Sequence, residues 1–482
     1  MASSDDKKVR EVKEPTLFES FIPIIFLLGL ILLNVLFIGE DTLSGTAQLS
    51  LMFAALVAGA LAVRNGVTMS TLFTQIEKTI SSTLIAILIL LAIGMLAGTW
   101  MLSGVIPTMI YYGLYILKPE YYLPATVIIC AITSMATGSS WSTIATVGVA
   151  LLGIGETLGF GKPVIAGAII SGSYFGDKVS PMSDTTNLAA SVAEVDLFKH
   201  IGYMFQTTIP TLILTLLIFT GISLFGETHA LISVSDMQAA IKDIYHINWL
   251  LFLIPIITIY LIIKKVPAVV TLLFSGILAG VFAVIFQMDV ITAIAGGNSF
   301  FDVFDVVTKS MYGPISVPAD NPAIAKLFAT SGMSGMLNTV WLVLMAMAYG
   351  GIMDAGGFLK KITDTLLKNI SSDGGLVTTT TLSTILFNSV AAEQYVTLIL
   401  SGKMYANAFK ERKLAPELLS RTLEDSGTVT SVLIPWNSCG ATQSTVLGVA
   451  TLTYLPYCFF CYLSPLVNMF FAWFHIKIRK TE

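Results

Sequence analysis

Ser171-Gly172-Ser173-Tyr174-Phe175-Gly176-Asp177-Lys178-Val179-Ser180-Pro181-Met182-Ser183-Asp184-Thr185-Thr186-Asn187 decides how this chain folds. The stretch lies in an apolar run, 163–194, yet it holds two aspartates, a lysine, a helix-breaking proline and a crowd of hydroxyl side chains. Such groups are costly at membrane depth, so they face a cavity or one another and handle ions or protons. Irregular backbone at that depth is tolerated only where it is buried in protein or lines an aqueous site. The stretch therefore predicts a membrane helix broken near its middle, with an ion site at the break.

The rest of the chain supplies the membrane. Of 482 residues, 55% are apolar and 12% charged, against about 25% charged in soluble domains. Mean hydropathy is +0.82. The fold class is an all-α polytopic membrane protein, with the lipid bilayer as its main partner. A net charge of −4 offers no surface for nucleic acid. Cys130, Cys439, Cys458 and Cys461 fall in or beside apolar runs and read as buried packing thiols. No histidine spacing suggests a metal site, and no nucleotide loop or catalytic triad suggests a cofactor or an enzyme. Residues 1–16 are polar and read as a disordered cytoplasmic tail ahead of a retained first helix.

Apolar runs continue to about residue 476. A crossing needs about 20 residues. Runs 163–194 and 415–450 are longer and carry polar clusters around Pro181 and Pro435. The breaks recur at matching spacing. Gly138 precedes Pro163 by 25 residues, as Ala391 precedes Pro416; Pro181 precedes Pro210 by 29, and Pro435 precedes Pro465 by 30. Phe21-Ile22-Pro23-Ile24-Ile25 is matched by Leu253-Ile254-Pro255-Ile256-Ile257. Two repeats are expected, 17–226 and 247–478, joined by a linker at 227–246.

Charge gives their orientation. Lysines and arginines mark cytoplasmic loops. Arg64, Lys78, Lys199 and Lys264–Lys265 fall on one side, while Glu40, Asp41, Asp289, Asp302 and Asp305 fall on the other. Loop 155–162 is charge-poor, but 403–413 holds Lys403, Lys410, Arg412 and Lys413. Equivalent loops of opposite sidedness are the mark of inverted-topology repeats. Each repeat then holds about five crossings, one broken helix and one re-entrant hairpin. The hairpins are 121–158, turning at Thr137-Gly138-Ser139-Ser140, and 376–410, turning near Ala391-Ala392-Glu393-Gln394. Two short full crossings per hairpin satisfy the same charge pattern. Segments 66–82 and 290–310 read as interfacial amphipathic helices, and 311–334 as an extracytoplasmic loop.

Sodium is a hard cation and takes oxygen ligands. The expected ion-binding set is Thr137, Gly138, Ser139 and Ser140 at the first turn, and Asp177, Ser180, Ser183, Asp184, Thr185 and Asn187 at the first break. From the second half come Glu393, Gln394, Asp425, Thr428 and Asn437. Na+ is placed at Asp177 and Asp184. Carbonyls freed by unwinding at Pro181 would add ligands. A carboxylate in low dielectric favours its proton, and a bound cation displaces it. Asp177, Asp184 and Glu393 are therefore the expected proton carriers, trading H+ for Na+ on shared oxygens. Structural readings stand beside these. Ser183 or Asp184 could cap the resuming helix, Arg421 could pair with Asp425 at i, i+4, and Lys178 could either pair with an aspartate or snorkel to the surface.

Gly176-Asp177-Lys178-Val179-Ser180-Pro181-Met182-Ser183-Asp184-Thr185-Thr186 resembles the signature of the NhaC family of Na+/H+ antiporters. Gly94-Met95-Leu96, Gly104-Val105-Ile106-Pro107 and Ala136-Thr137-Gly138-Ser139-Ser140-Trp141 support it in the right order. The resemblance covers about residues 15–475. It implies an antiporter exchanging Na+ for H+ in a bacterial cytoplasmic membrane, with both termini cytoplasmic. The family also contains exchangers of small carboxylates such as malate and lactate, the nearest rival reading, for which Lys178 or the half-helix starting near Asn187 would be the anchor. A channel or scaffold is a further alternative. A homodimer is a weaker expectation.

Overall fold

The structure is a computed structural model that describes residues 12–38, 45–226, 228, 233–368, 370 and 372–481. Glu40, Asp41 and most of the expected N-terminal tail (1–11) lie outside the described residues.

Among the described residues, six helices are long and apolar enough to cross a membrane, or up to nine if each of three bent helix pairs counts as one crossing. Their outward faces stay apolar, as Leu32, Leu36, Ile85, Leu217 and Phe274 show; all are exposed. Such faces suit lipid.

The first hairpin runs Tyr122–Thr137, turns at Gly138 and Ser139, and returns over 140–157 through a π-helical turn, Ile144–Gly148. The second runs Asp373–Ala391, turns at Ala392 and Glu393, and returns over Gln394–Glu411. Both turns use the same two-residue device. The first residue is left-handed, Gly138 at φ 70° and Ala392 at φ 55°. The second is extended and caps the returning helix with its side chain: Ser139 accepts from the Ser142 N–H, and Glu393 from the Val396 N–H. Each hairpin is followed by a helix that breaks. Lys162–Val179 stops at Ser180 and resumes as Asp184–Val192. Pro416–Leu423 continues through a π turn, Glu424–Thr428, and a short 3-10 turn, then resumes as Ser438–Leu447.

Close packing fixes the first break against the first hairpin. A Cβ on Gly172 would lie 2.2 Å from the Val127 carbonyl oxygen, and one on Gly176 would lie 2.3 Å from that of Ala131. Two small residues four apart let helix backbones touch, which is the usual packing of membrane helices. The larger apolar core surrounds this contact; a second lies between Thr46–Arg64 and Leu337–Ala355.

Four segments differ in detail from the sequence reading. Segment 66–82 is no separate interfacial helix: it is continuous with the crossing in one 34-residue helix, Met69–Leu102. At 1.5 Å per residue that helix is about 50 Å long, so its first turns project beyond a hydrocarbon core of about 30 Å. The 227–246 linker contains a helix, Val234–Ile244, set at 93° to the helix that follows. The 311–334 loop carries a two-stranded hairpin, Ile315–Ser316 with Ala329–Thr330, and a short helix. Segment 290–310 forms two helices, Met288–Ala295 and Phe300–Tyr312, at 94° to each other.

Candidate ion-binding site

Both hairpin turns and the first break meet at one cavity of about 1010 Å³. Thr137, Gly138 and Ser139 line it from the first turn, Asp177, Ser183, Asp184, Thr185 and Asn187 from the first break, and Glu393 and Gln394 from the second turn. Three acids thus face one space, with Lys265 the one basic residue in the wall.

The acids are held differently. Asp177 is buried, and its Oδ2 accepts from the Ser140 N–H (3.1 Å) and the Ser140 hydroxyl (2.6 Å). Its carboxylate therefore sits on the N-terminus of the returning hairpin helix, where free N–H groups favour negative charge. Glu393 is also buried, with Oε2 accepting from the Val396 N–H at 3.0 Å. Asp184 is exposed to the cavity at the first turn of its helix. Ser183, not Asp184, is the cap, with its hydroxyl facing the Thr186 N–H. Among the described residues, no three acidic, histidine or cysteine side chains converge on one point. A cation here would draw on hydroxyls and water as well.

Several carbonyls at the break already have partners. Thr186 Oγ1 donates to the carbonyls of Asp177 and Lys178, and Asn187 Nδ2 donates to those of Pro181 and Ser183. Ser180 is turned away, with its hydroxyl donating to the Met135 carbonyl at 2.8 Å. Ser180 is therefore a tie between the break and the first hairpin, and Thr186 and Asn187 cap the unwound strand.

The remaining expected ligands lie outside the cavity lining. Asp425 is fully buried and forms an ion pair with Lys178, which is fully buried as well. Lys178 also donates to Ser464 Oγ (3.0 Å), and Thr207 Oγ1 donates to Asp425 Oδ2 (3.0 Å). Lys178 thus pairs with an aspartate rather than snorkelling to the surface. Arg421 does not pair with Asp425; its guanidinium lies 4.6 Å over the Tyr203 ring, and its Nε donates to Asn468. Thr428 Oγ1 is buried without a partner, and Asn437 caps Ser438–Leu447 while its amide donates to the Asn388 carbonyl. Thr207, Ser464 and Asn388 were not singled out by sequence. Thr207, Thr211 and Thr215 recur every four residues on one buried face, as do Ser464 and Asn468. That period in an apolar helix was the available signal.

Comparison with known proteins agrees. Residues 172–476 match the Na+/H+ antiporter family. The malate-2H+/Na+-lactate antiporter of Bacillus subtilis is 35% identical over 452 residues, 93% of this chain and 92% of that one. The Na+/H+ antiporter NhaC of Alkalihalophilus pseudofirmus is 36% identical over 399 residues, 82% of this chain and 83% of that one. Among solved structures, Neisseria gonorrhoeae MtrF, described as one of a class of antimetabolite efflux pumps, covers 95% of both chains at 12% identity and a TM-score of 0.38. The chain is a multi-pass membrane protein and belongs to the Na+/H+ antiporter family.

Proposed function

We propose that the protein is a secondary antiporter that exchanges Na+ for H+ by alternating access, with Na+ held in the cavity by Asp177, Asp184 and the turn hydroxyls. The observation that carries this is the meeting of Asp177, Asp184 and Glu393 at one cavity where two hairpin turns and a helix break converge. Cation release from such a site needs a competing positive charge, and a proton supplies it. The wall also includes Phe198 and 265–268, beside Lys199 and Lys264, whose charge assigns these loops to the cytoplasm. The structure then corresponds to the state open to the cell interior.

A small-carboxylate exchanger is the second reading, because the malate-lactate antiporter is a relative. Of its two expected anchors, Lys178 is already paired with Asp425, which leaves the start of the helix at Asp184–Val192, where Asp184 brings a negative charge unfavourable to a carboxylate. The repeats are taken to be inverted, on the strength of their opposite loop charges. Single cysteines at Gly159 and Lys410 should label from opposite sides of the membrane; labelling from one side rules the inversion out.

Proteoliposomes with an imposed pH gradient test the reading. Na+ should drive proton movement without added malate or lactate, and Asp184→Asn should reduce it by at least about tenfold, the loss of one charge on a cation in a partly wet site. Wild-type rates in Asp184→Asn would remove Asp184 from the sodium site. Proton movement that requires malate or lactate would favour the carboxylate exchanger.

A further inference from the structure

Glu424 is fully buried, and neither of its carboxyl oxygens has a hydrogen-bond partner among the described residues. Buried polar groups in native proteins are nearly always paired, so an exception calls for a cause. The other buried acids of this polar core are satisfied: Asp177 by Ser140, Glu393 by the Val396 N–H, and Asp425 by Lys178 and Thr207. Glu424 alone makes no well-formed hydrogen bond, although the Thr428 hydroxyl and Lys178 are both close enough to act on it electrostatically.

Its backbone setting is also unusual. It opens the π turn Glu424–Thr428, which packs against Lys162–Val179, Asp184–Val192, both arms of the second hairpin and Phe459–Trp473. π turns are rare and concentrate at functional sites. Thr428, at the end of the same turn, carries a buried hydroxyl that makes no well-formed hydrogen bond but is close enough to act on Glu424. The charges acting on Glu424 are Asp177 and Lys178 on the first broken helix and Asp425 in its own turn. The packed elements also carry Lys162, Asp184, Asp373, Lys403, Lys410 and Glu411, and the helix leading into the turn, Pro416–Leu423, carries Glu417 and Arg421; Asp373 is tied to Arg412 and Lys480.

A carboxylate wholly out of water, with no well-formed hydrogen bond and no cation of its own, is too costly to persist; the neutral acid fits such a place. Ionisation becomes affordable when a cation arrives nearby. Asp177 supplies that link, because it lines the cavity and also acts on Glu424.

We propose that Glu424 is the seat of the exchanged proton, separate from the cation cavity, and that it governs Na+ at Asp177 through its charge rather than by sharing ligands. This rests on the Na+/H+ reading above and names where its proton sits. Na+ entering at Asp177 favours loss of the Glu424 proton. The O–H bond breaks, the proton leaves to water in the cavity, and the carboxylate left behind is balanced by Lys178 and the bound Na+, with the Thr428 hydroxyl free to turn toward it. Reprotonation of Glu424 removes that charge and releases Na+. By linkage, each ligand weakens the other by the same factor.

The test is Glu424→Gln, an isosteric neutral side chain, in proteoliposomes beside wild type. The variant should lose Na+-driven proton movement yet keep the exchange of radioactive Na+ for unlabelled Na+, which needs no proton. Wild-type Na+ affinity, read by thermal shift, should weaken about 5- to 150-fold from pH 9 to pH 6, the range of ordinary coupling between sites. In Glu424→Gln that dependence should vanish. Glu424→Asp, which keeps an acid, should retain proton coupling at a lower rate and serves if the glutamine variant does not fold. Proton coupling retained in Glu424→Gln overturns the proposal. So does loss of both exchange modes in a folded variant, which would make Glu424 part of the cation or conformational machinery. A wild type that moves no protons against Na+ fails the antiporter reading instead, and the two failures are told apart by that control.

Discussion

The break after Val179 opens onto the cavity; its counterpart after Leu433 is closed. In the first, Pro181, Asp184 and Asn187 are exposed, and three acids and one lysine line the cavity. In the second, Asn437 and Ser438 are buried, and the strand is sewn to the second hairpin. The Ser438 N–H donates to the Ala392 carbonyl (2.9 Å), the Asn437 amide to the Asn388 carbonyl (3.0 Å), and the Trp436 indole to the Ser389 carbonyl (2.7 Å). The same sequence device, hairpin then proline-marked break, lines an open acidic cavity at one break and builds a buried polar core at the other. The halves are joined where these meet, through the Lys178–Asp425 pair. Exchange needs both properties: a place where a cation is exchanged with water, and a protected charge network whose state responds to it.

The largest effect should come from breaking that joint. Removing one partner of a fully buried ion pair costs about 3–5 kcal/mol, because the other charge is left uncompensated. Lys178→Met and Asp425→Leu should each lower the melting temperature steeply. Replacing a buried pair by apolar groups is often near neutral. The double variant should therefore recover at least about 2 kcal/mol relative to the sum of the single losses, as neighbours that interact do. Thermal unfolding of the three variants decides. If the losses simply add, Lys178 and Asp425 act independently and do not hold the halves together.

Much of the first half was legible in the chain because its chemistry is local. Asp177 to Asn187 is one continuous run, and Pro181 announces the break. The hairpin turns could be read from Gly138 with its small hydroxyl neighbours, and from Ala392 and Glu393 by spacing. The fate of the freed carbonyls was not legible: Thr186 and Asn187 take them, and hydrogen bonds between side chain and backbone leave no periodic trace. The partner of Lys178 was hidden for a different reason. Asp425 is 247 residues away, and its sequence neighbour Arg421 offered a plausible local partner. A long-range contact in one chain has no spacing rule, so the local alternative was the only one spacing could suggest. The continuity of Met69–Leu102 was missed because its first turns are polar, although no glycine or proline interrupts them before Gly94.

The smallest effects should appear at the two turns, and their inequality is informative. Both turns place one residue at positive φ, where a side chain costs about 1–2 kcal/mol. Gly138 avoids this; Ala392 bears it. A Cβ on Gly138 would also lie 2.6 Å from the Met182 carbonyl carbon, which is backbone and cannot swing aside. Gly138→Ala should therefore destabilise by about 2–5 kcal/mol, the αL strain plus an overpacking cost of about 1–3 kcal/mol. By pushing the turn off the first break, it should also weaken Na+ binding. Ala392→Gly removes the strain but gives up a buried methyl, about 0.8 kcal/mol, and adds unfolded-state freedom, about 0.5–1 kcal/mol. These nearly cancel, so its melting temperature should stay within the equivalent of about 1 kcal/mol of wild type. Paired melts of the two variants measure the difference. Equal losses would mean that the turns bear equal demands, and the division into an open first break and a closed second one would have to rest on charge alone.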